Sequence, residues 1–157
     1  MKTTILSFFF GGEDNMIRLF TENDYDEVYQ LWKRSPGVGL RSLDDSREAI
    51  IRFSRRNPTT NFVAVENEKI VGVIFGGHDG RRGYLYHVCV EESHRQKSIG
   101  RQLIECVIEA MKAEQINRLG LICLKDNNLG NAFWSSMGWT NRIDLNYYNL
   151  NINDNNF

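Results

Sequence analysis

The residues best placed to do chemistry lie between Tyr84 and Gly100. A β-favouring run, Tyr84-Leu85-Tyr86-His87-Val88-Cys89-Val90, stops at the polar turn Glu91-Glu92-Ser93-His94. Arg95-Gln96-Lys97-Ser98-Ile99-Gly100 follows and leads straight into an amphipathic helix. Strand, tight turn and helix start in that order make an anion site. The first-turn amides have no partner within the helix, and the helix dipole adds partial positive charge there. A small residue at Gly100 lets a phosphate approach the backbone, while Arg95 and Lys97 add mobile positive charge. The pattern predicts a phosphorylated cofactor. In the same run, His87 contributes a side chain whose ordinary pKa is near neutrality.

The elements that must position these groups can be read from periodicity. Ile17–Phe20 reads as a short strand. Thr21-Glu22-Asn23-Asp24 is a capping-box-like start for a helix with Tyr25, Val28, Leu31 and Trp32 on one face, ended by Ser35-Pro36-Gly37. A second helix is predicted from Ser42–Asp45 to just before Asn57-Pro58. Phe62–Glu66 and Ile70–Gly76 form a hairpin, and a turn-rich segment from Gly77 to Gly83 joins it to Tyr84–Val90. The helix from Ile99 to Ala113 carries Leu103, Ile104, Val107, Ile108 and Met111 as an apolar stripe. A strand over Arg118–Leu124, a short helix over Asn128–Met137 and a final strand region from Trp139 complete the order β-α-α-β-β-β-α-β-α-β. That order is a mixed α/β domain.

The 157-residue chain is long enough for one domain, and its net charge of −1 and pI near 6.3 give no whole-chain case for nucleic acid or an anionic membrane. Cys89, Cys106 and Cys123 fall in apolar strand or helix contexts, in odd number and without CxxC spacing. That argues against a disulfide framework or a zinc site and predicts a reducing, cytoplasmic setting without a metal. Lys2 with Ile5-Leu6-Ser7-Phe8-Phe9-Phe10 has a superficial likeness to a signal peptide. The apolar run is short, no small-x-small cleavage site follows, and a membrane helix needs about 18 apolar residues. Residues 1–15 are therefore read as an extension, with an added edge strand as the second reading. The domain is read as 16–150, and 151–157 as a polar tail expected to fray.

From Met16 to about Leu145 the element order and two motifs resemble the GNAT superfamily of acetyl-CoA-dependent N-acetyltransferases. The family's Arg/Gln-x-x-Gly-x-Gly/Ala loop falls on Arg95 to Gly100. Its Asn-then-short-helix motif, ending in Gly-aromatic, falls on Asn127, Gly130, Phe133, Trp134, Gly138 and Trp139. A Rossmann reading of the loop lacks the acidic ribose ligand, and a P-loop reading lacks Gly-Lys-Ser/Thr. The resemblance implies a GNAT fold, a mixed and mostly antiparallel central sheet with helices on both faces. It implies that the backbone of Arg95, Gln96, Lys97, Ser98, Ile99, Gly100 and Arg101 holds the acetyl-CoA pyrophosphate. Val88, Cys89 and Val90 would pair with the pantetheine arm like an added strand. Asn127, with Gly130 on its helix, would hydrogen-bond that arm, and Phe133 and Trp134 would wall the thiol end. The match extends to small bacterial and archaeal members and to RimI-type enzymes. Three positions depart: Ile122 stands where RimI-type enzymes place a glutamate base, Trp134 where many members place a tyrosine acid, and Ser98 where the loop has Gly. If position 98 needs φ > 0, serine there costs on the order of 1–2 kcal/mol.

The implied reaction is direct acetyl transfer to a primary amine. Positioning two substrates is worth an effective molarity of about 10⁵–10⁸ M, whereas an acid or base adds about 10²–10⁴-fold. A lost tyrosine is thus compatible with catalysis. The amide of Cys89 or Val90 is the expected oxyanion donor. His87 is the candidate base, with Tyr86 or Tyr147 as assistant or proton donor; a hydrogen-bonded structural histidine and a packing tyrosine are the competing readings. Arg81 and Arg82 read either as a solvated hairpin tip beside a turn-capping Asp79 or as a clamp for a carboxylate- or phosphate-bearing acceptor. Arg142 and Asp144 pose the same choice. A RimI-type protein N-terminal acetyltransferase and a non-catalytic acyl-CoA-binding or sensor module stand as alternatives. The acceptor is expected to be a small amine or a peptide, with no nucleic acid or membrane partner. A homodimer through the last strand or Phe8-Phe9-Phe10 is left open.

Overall fold

The structure, a computed structural model, describes Phe8, Phe9 and residues 15–157. The strands are β1 (Phe8–Phe9), β2 (Asn15–Leu19), β3 (Asn61–Glu66), β4 (Lys69–His78), β5 (Gly83–Val90) and β6 (Leu119–Gly120). The helices are α1 (Tyr25–Lys33), α2 (Arg47–Arg56), α3 (Ile99–Ala113) and α4 (Asn128–Ser136). The six strands lie in sequence order, antiparallel throughout except for the parallel β5–β6 pair.

Alternation along the strands divides the core between the two sheet faces. Phe62, Ala64, Ile74 and Leu85 pack with Leu103, Ile104, Val107 and Met111 of α3. Val63, Val73 and Phe75 point the other way and pack with Val28, Leu31 and Trp32 of α1 and Ile50 of α2. The β3–β4 hairpin turns on Asn67 and Glu68, both left-handed at φ 49° and 64°. Two such residues make the turn whose twist suits a two-residue hairpin.

The entry to α1 is built as its sequence predicts. The Asp24 carboxylate accepts from the Thr21 amide at 2.7 Å and from the Arg18 fork at 2.7 and 2.9 Å. The second helix starts later than predicted. Residues 42–45 form turns, and Ser46 caps α2 by accepting from the Ala49 amide. The amides of Leu43 and Asp44 are taken instead by the Asn156 carboxamide oxygen, at 3.1 and 3.2 Å.

Three further expectations are corrected. The strand predicted over Arg118–Leu124 contracts to Leu119–Gly120, and residues 121–124 pair with no strand among the described residues. The final strand from Trp139 does not form; residues 139–157 run as turns and irregular chain, with Ile143, Tyr148 and Ile152 largely exposed. The polar tail does not fray. Ser42 donates its amide to the Phe157 carbonyl at 2.8 Å and its hydroxyl to the Asn155 carbonyl at 2.7 Å, and Asn156 Nδ2 donates to Asp44. At the other end, Phe8 and Phe9 pair with Ile17 and Met16, which is the edge-strand reading of the extension. The rest of that extension, Phe10 included, lies outside the described residues, apart from Asn15 at the start of β2.

Candidate active site

The turn into α3 presents a row of free donors. Arg95 donates its amide to Glu92, and the next amide with a protein acceptor is that of Gln102, bonded to Ser98 at 3.0 Å. Among the described residues, the amides of Gln96 through Arg101 have no acceptor in the protein. The backbone there alternates: Gln96 and Ser98 are both left-handed at φ 63°. Alternation of that kind converges successive N–H groups on an anion. Ser98 is the residue before the helix and offers no side-chain cap, and no acidic residue occupies the first turn of α3. Arg95, Lys97 and Arg101 are exposed around the turn. Lys97 reaches Glu66 at 3.8 Å, and His94 pairs with the same carboxylate.

Gly100 has a use the sequence reading did not foresee. A side-chain carbon there would stand 3.3 Å from the Phe133 ring and 3.7 Å from Val90, so the missing Cβ lets α4 and β5 close on α3. Any phosphate contact comes through its amide.

Beside this turn the sheet is open. Strand β6 pairs with β5 only at Gly83↔Leu119 and Tyr84↔Gly120. From Leu85 to Val90 the outer edge of β5 faces no strand among the described residues. Along this unpaired stretch β5 carries a bulge. Val73 pairs with Cys89 and Phe75 with Tyr86, so Ile74 stands opposite two residues, His87 and Val88. His87 is left-handed at φ 50°, the conformation a bulge of this type requires at its first position. The inserted residue reverses the facing of all that follows. Leu85 packs on the α3 side, and Cys89, four residues on, packs on the α1 side. Val88 and Val90 line the α3 side at the open edge.

The bulge also turns His87 onto the same face as Tyr86. Its ring meets the Trp32 ring at 4.9 Å, edge to face, and its Nε2 lies 2.5 Å from Oδ1 of Asp45. The Trp32 indole donates to the His87 carbonyl at 3.3 Å. Asp45 was not singled out by sequence reasoning. It sits in a run that looks like a helix start, and its partner is 42 positions away. Only the Ser-Leu-Asp-Asp-Ser composition of that loop hinted at something other than a helix.

Tyr86 is 44% exposed and packs edge-on against Phe53. Burial, and then the nearby Tyr147 phenol, push the Tyr86 pKa up, so its hydroxyl stays protonated at neutral pH. Tyr147 lies in irregular chain, not on the predicted strand, and is 69% exposed. Asn127 caps α4 with Oδ1 on the Gly130 amide at 2.9 Å, and its Nδ2 lies against Gly37 and has no acceptor among the described residues. Phe133, Trp134 and Trp139 meet edge to face in series at 5.2 and 5.1 Å and pack on the α3-side core. Ile122 is exposed.

The three thiols are free. Burial pushes Cys89 up to about 11, and burial also raises Cys106 to about 11 and Cys123 by less. None is primed as a thiolate nucleophile. At the β4–β5 tip, Asp79 Oδ1 accepts from the Arg81 and Arg82 amides at 2.8 and 2.7 Å, which is the turn-capping role. Neither guanidinium forms an ion pair among the described residues. Arg142 and Asp144 pair with each other through a two-pronged fork at 2.8 Å. No cluster of metal-ligating side chains occurs among the described residues, and none of their helices is long and apolar enough to cross a membrane.

An opened sheet beside a helix start rich in free amides makes a site for an extended ligand that carries a phosphate. The profile of the Acetyltransferase (GNAT) family matches residues 25–139, and this chain belongs to that family. It is 32% identical over 112 residues to an acetyltransferase of Pectobacterium atrosepticum, covering 71% of this chain and 78% of the relative. Among solved structures, it resembles the PaiA N-acetyltransferase of Thermoplasma acidophilum in complex with coenzyme A. That likeness has a TM-score of 0.68 and 16% identity, over 78% of this chain and 87% of the other. It also resembles the ribosomal-protein-S18-alanine N-acetyltransferase of Escherichia coli. Here the TM-score is 0.65 with 19% identity, over 79% of this chain and 76% of that one.

Proposed function

We propose that the protein transfers acetyl from acetyl-CoA directly to a primary amine. The observation that carries this reading is the row of amides from Gln96 to Arg101 with no acceptor among the described residues, beside a β5 edge that from Leu85 to Val90 has no described strand on it. The row suits a pyrophosphate, and the edge at Val88, Cys89 and Val90 suits the amide groups of a pantetheine arm. Asn127 has a spare amide donor near the arm's far end, and Phe133 and Trp134 supply an apolar wall.

Bound acetyl-CoA would supply the activated acetyl group. The Val90 amide, which the β4 pairing leaves on the outer edge, would polarise the carbonyl oxygen as the amine nitrogen attacks, whereas the Cys89 amide faces β4. His87 takes the amine proton, the new C–N bond forms and the C–S bond breaks. Tyr86, whose phenol is held protonated by burial, or Tyr147 would return a proton to the leaving sulfur. A route through an acetylated Cys89 is disfavoured by its buried, high-pKa thiol. Three unpaired thiols fit a reducing, cytoplasmic setting.

One observation favours a second reading, a non-catalytic acyl-CoA-binding module: Trp134 occupies the position of the family's tyrosine acid, and an indole cannot protonate a thiolate. Calorimetry with acetyl-CoA followed by an amine and peptide panel, read out as free CoA, separates the two. Binding with turnover supports transfer, binding without turnover supports the module, and no binding removes both. His87→Ala is expected to lower kcat at neutral pH and leave acetyl-CoA affinity unchanged.

A further inference from the structure

We infer that Asp45 is the positioning residue for His87, fixing its imidazole as the Nε2–H tautomer and leaving Nδ1 as the atom that receives the amine proton. The use of Nδ1 rests on the acetyl-transfer reading; the pairing itself does not.

Asp45 is 4% exposed and every polar group it carries is engaged. Its Oδ2 accepts from the Arg41 amide at 2.6 Å and its Oδ1 faces His87 Nε2 at 2.5 Å. Its own amide donates to the Arg41 carbonyl at 3.1 Å, and its carbonyl accepts from the Tyr25 hydroxyl at 2.7 Å. Oδ2 is thus an acceptor, and with the carboxyl ionised Oδ1 is one as well, so that the hydrogen between Asp45 and His87 belongs to Nε2. A neutral imidazole carries one N–H, so Nδ1 holds the lone pair. Among the described residues nothing donates to Nδ1.

The histidine is held as firmly as the aspartate. Its side chain is 19% exposed, its ring rests on Trp32, and its carbonyl is bonded by the Trp32 indole. A left-handed non-glycine residue persists where its surroundings over-determine it. Here the bulge, the indole and the buried carboxylate do so together. The pairing gives His87 a defined tautomer and leaves Nδ1 without a partner among the described residues. Acid–base work at Nδ1 needs both.

The test combines spectroscopy with kinetics on the full chain. Two-bond ¹H–¹⁵N correlation of the imidazoles, assigned with His87→Ala and recorded where His87 is neutral, is expected to show Nε2–H in the wild type. Asp45→Asn presents an amide that can donate to Nε2 and push the hydrogen to Nδ1. Its kcat is expected to fall about 10²–10⁴-fold with the KM for acetyl-CoA unchanged. His87→Ala combined with Asp45→Asn should lose no more than His87→Ala alone. A wild-type Nδ1–H pattern overturns the inference, and so does an Asp45→Asn enzyme that keeps its kcat. If Asp45→Asn does not fold, the wild-type tautomer decides. A wild type showing Nε2–H that releases CoA with no amine overturns the transfer reading, and Nδ1's role with it, while supporting the pairing.

Discussion

Ser98 and Gln96 show how single backbone angles set the anion turn. Both are left-handed at φ 63° without being glycine, a conformation that costs an L-residue about 1–2 kcal/mol. Ser98→Gly is expected to stabilise the protein by about 1 kcal/mol, read as a rise in Tm, with acetyl-CoA affinity kept or improved. Arg81 and Arg82 project from a tip whose backbone is already tied by Asp79, so exchanging both for Gln leaves the turn intact. That double variant is expected to raise KM selectively for acceptors bearing a carboxylate or phosphate, compared with matched neutral amines. At this scale the sequence disclosed the residue types at the turn and the presence of His87. It did not disclose Asp45, because nothing local marks a carboxylate whose partner arrives from a strand 42 positions on. Nor did it disclose that Gly100 serves helix contact, since a missing Cβ names no neighbour.

The elements were readable where hydrophobic periodicity was unambiguous. The helix Ile99–Ala113 forms at the predicted bounds, because its apolar stripe is long and its start is a sharp turn. Strands beyond a bulge were not readable in the same way. After His87 the facing reverses, so a period-two reading assigns Cys89 to the wrong side of the sheet. Residues 121–124 likewise lack the partner on β5 that they would need as a strand. The β2–α1 corner offers a test with a definite sign. Burial works against a charge on Asp24, but the Arg18 fork and the Thr21 amide outweigh it and hold the carboxyl below the usual range. Its contribution is therefore present above about pH 4 and lost as pH falls through the depressed folded value. Asp24→Asn should cost about 2 kcal/mol at pH 7, and the gap between the variant and wild-type melting curves should narrow as pH falls below about 4.

Across the whole molecule, length and pattern announced one mixed α/β domain, but composition misrepresented its end. A run as rich in asparagine as Asn149–Asn156 has the polarity of a loose terminus. Carboxamides are nevertheless able to accept and donate at once, and Asn156 does both against the loop before α2. Tail and loop border an open cleft of about 550 Å³, lined in part by Arg41, Arg52 and Tyr147. Asn156→Ala is expected to lower stability by about 1 kcal/mol and to speed hydrogen exchange at the Leu43 and Asp44 amides, with exchange in α3 unchanged. The clasp joins positions 113 residues apart, and its loop neighbour is Asp45. Damage to residues 155–157 would consequently be felt next to His87, in the middle of the fold. A proteolytic nick or a crowded fusion partner there would register as slower turnover before it registered as unfolding.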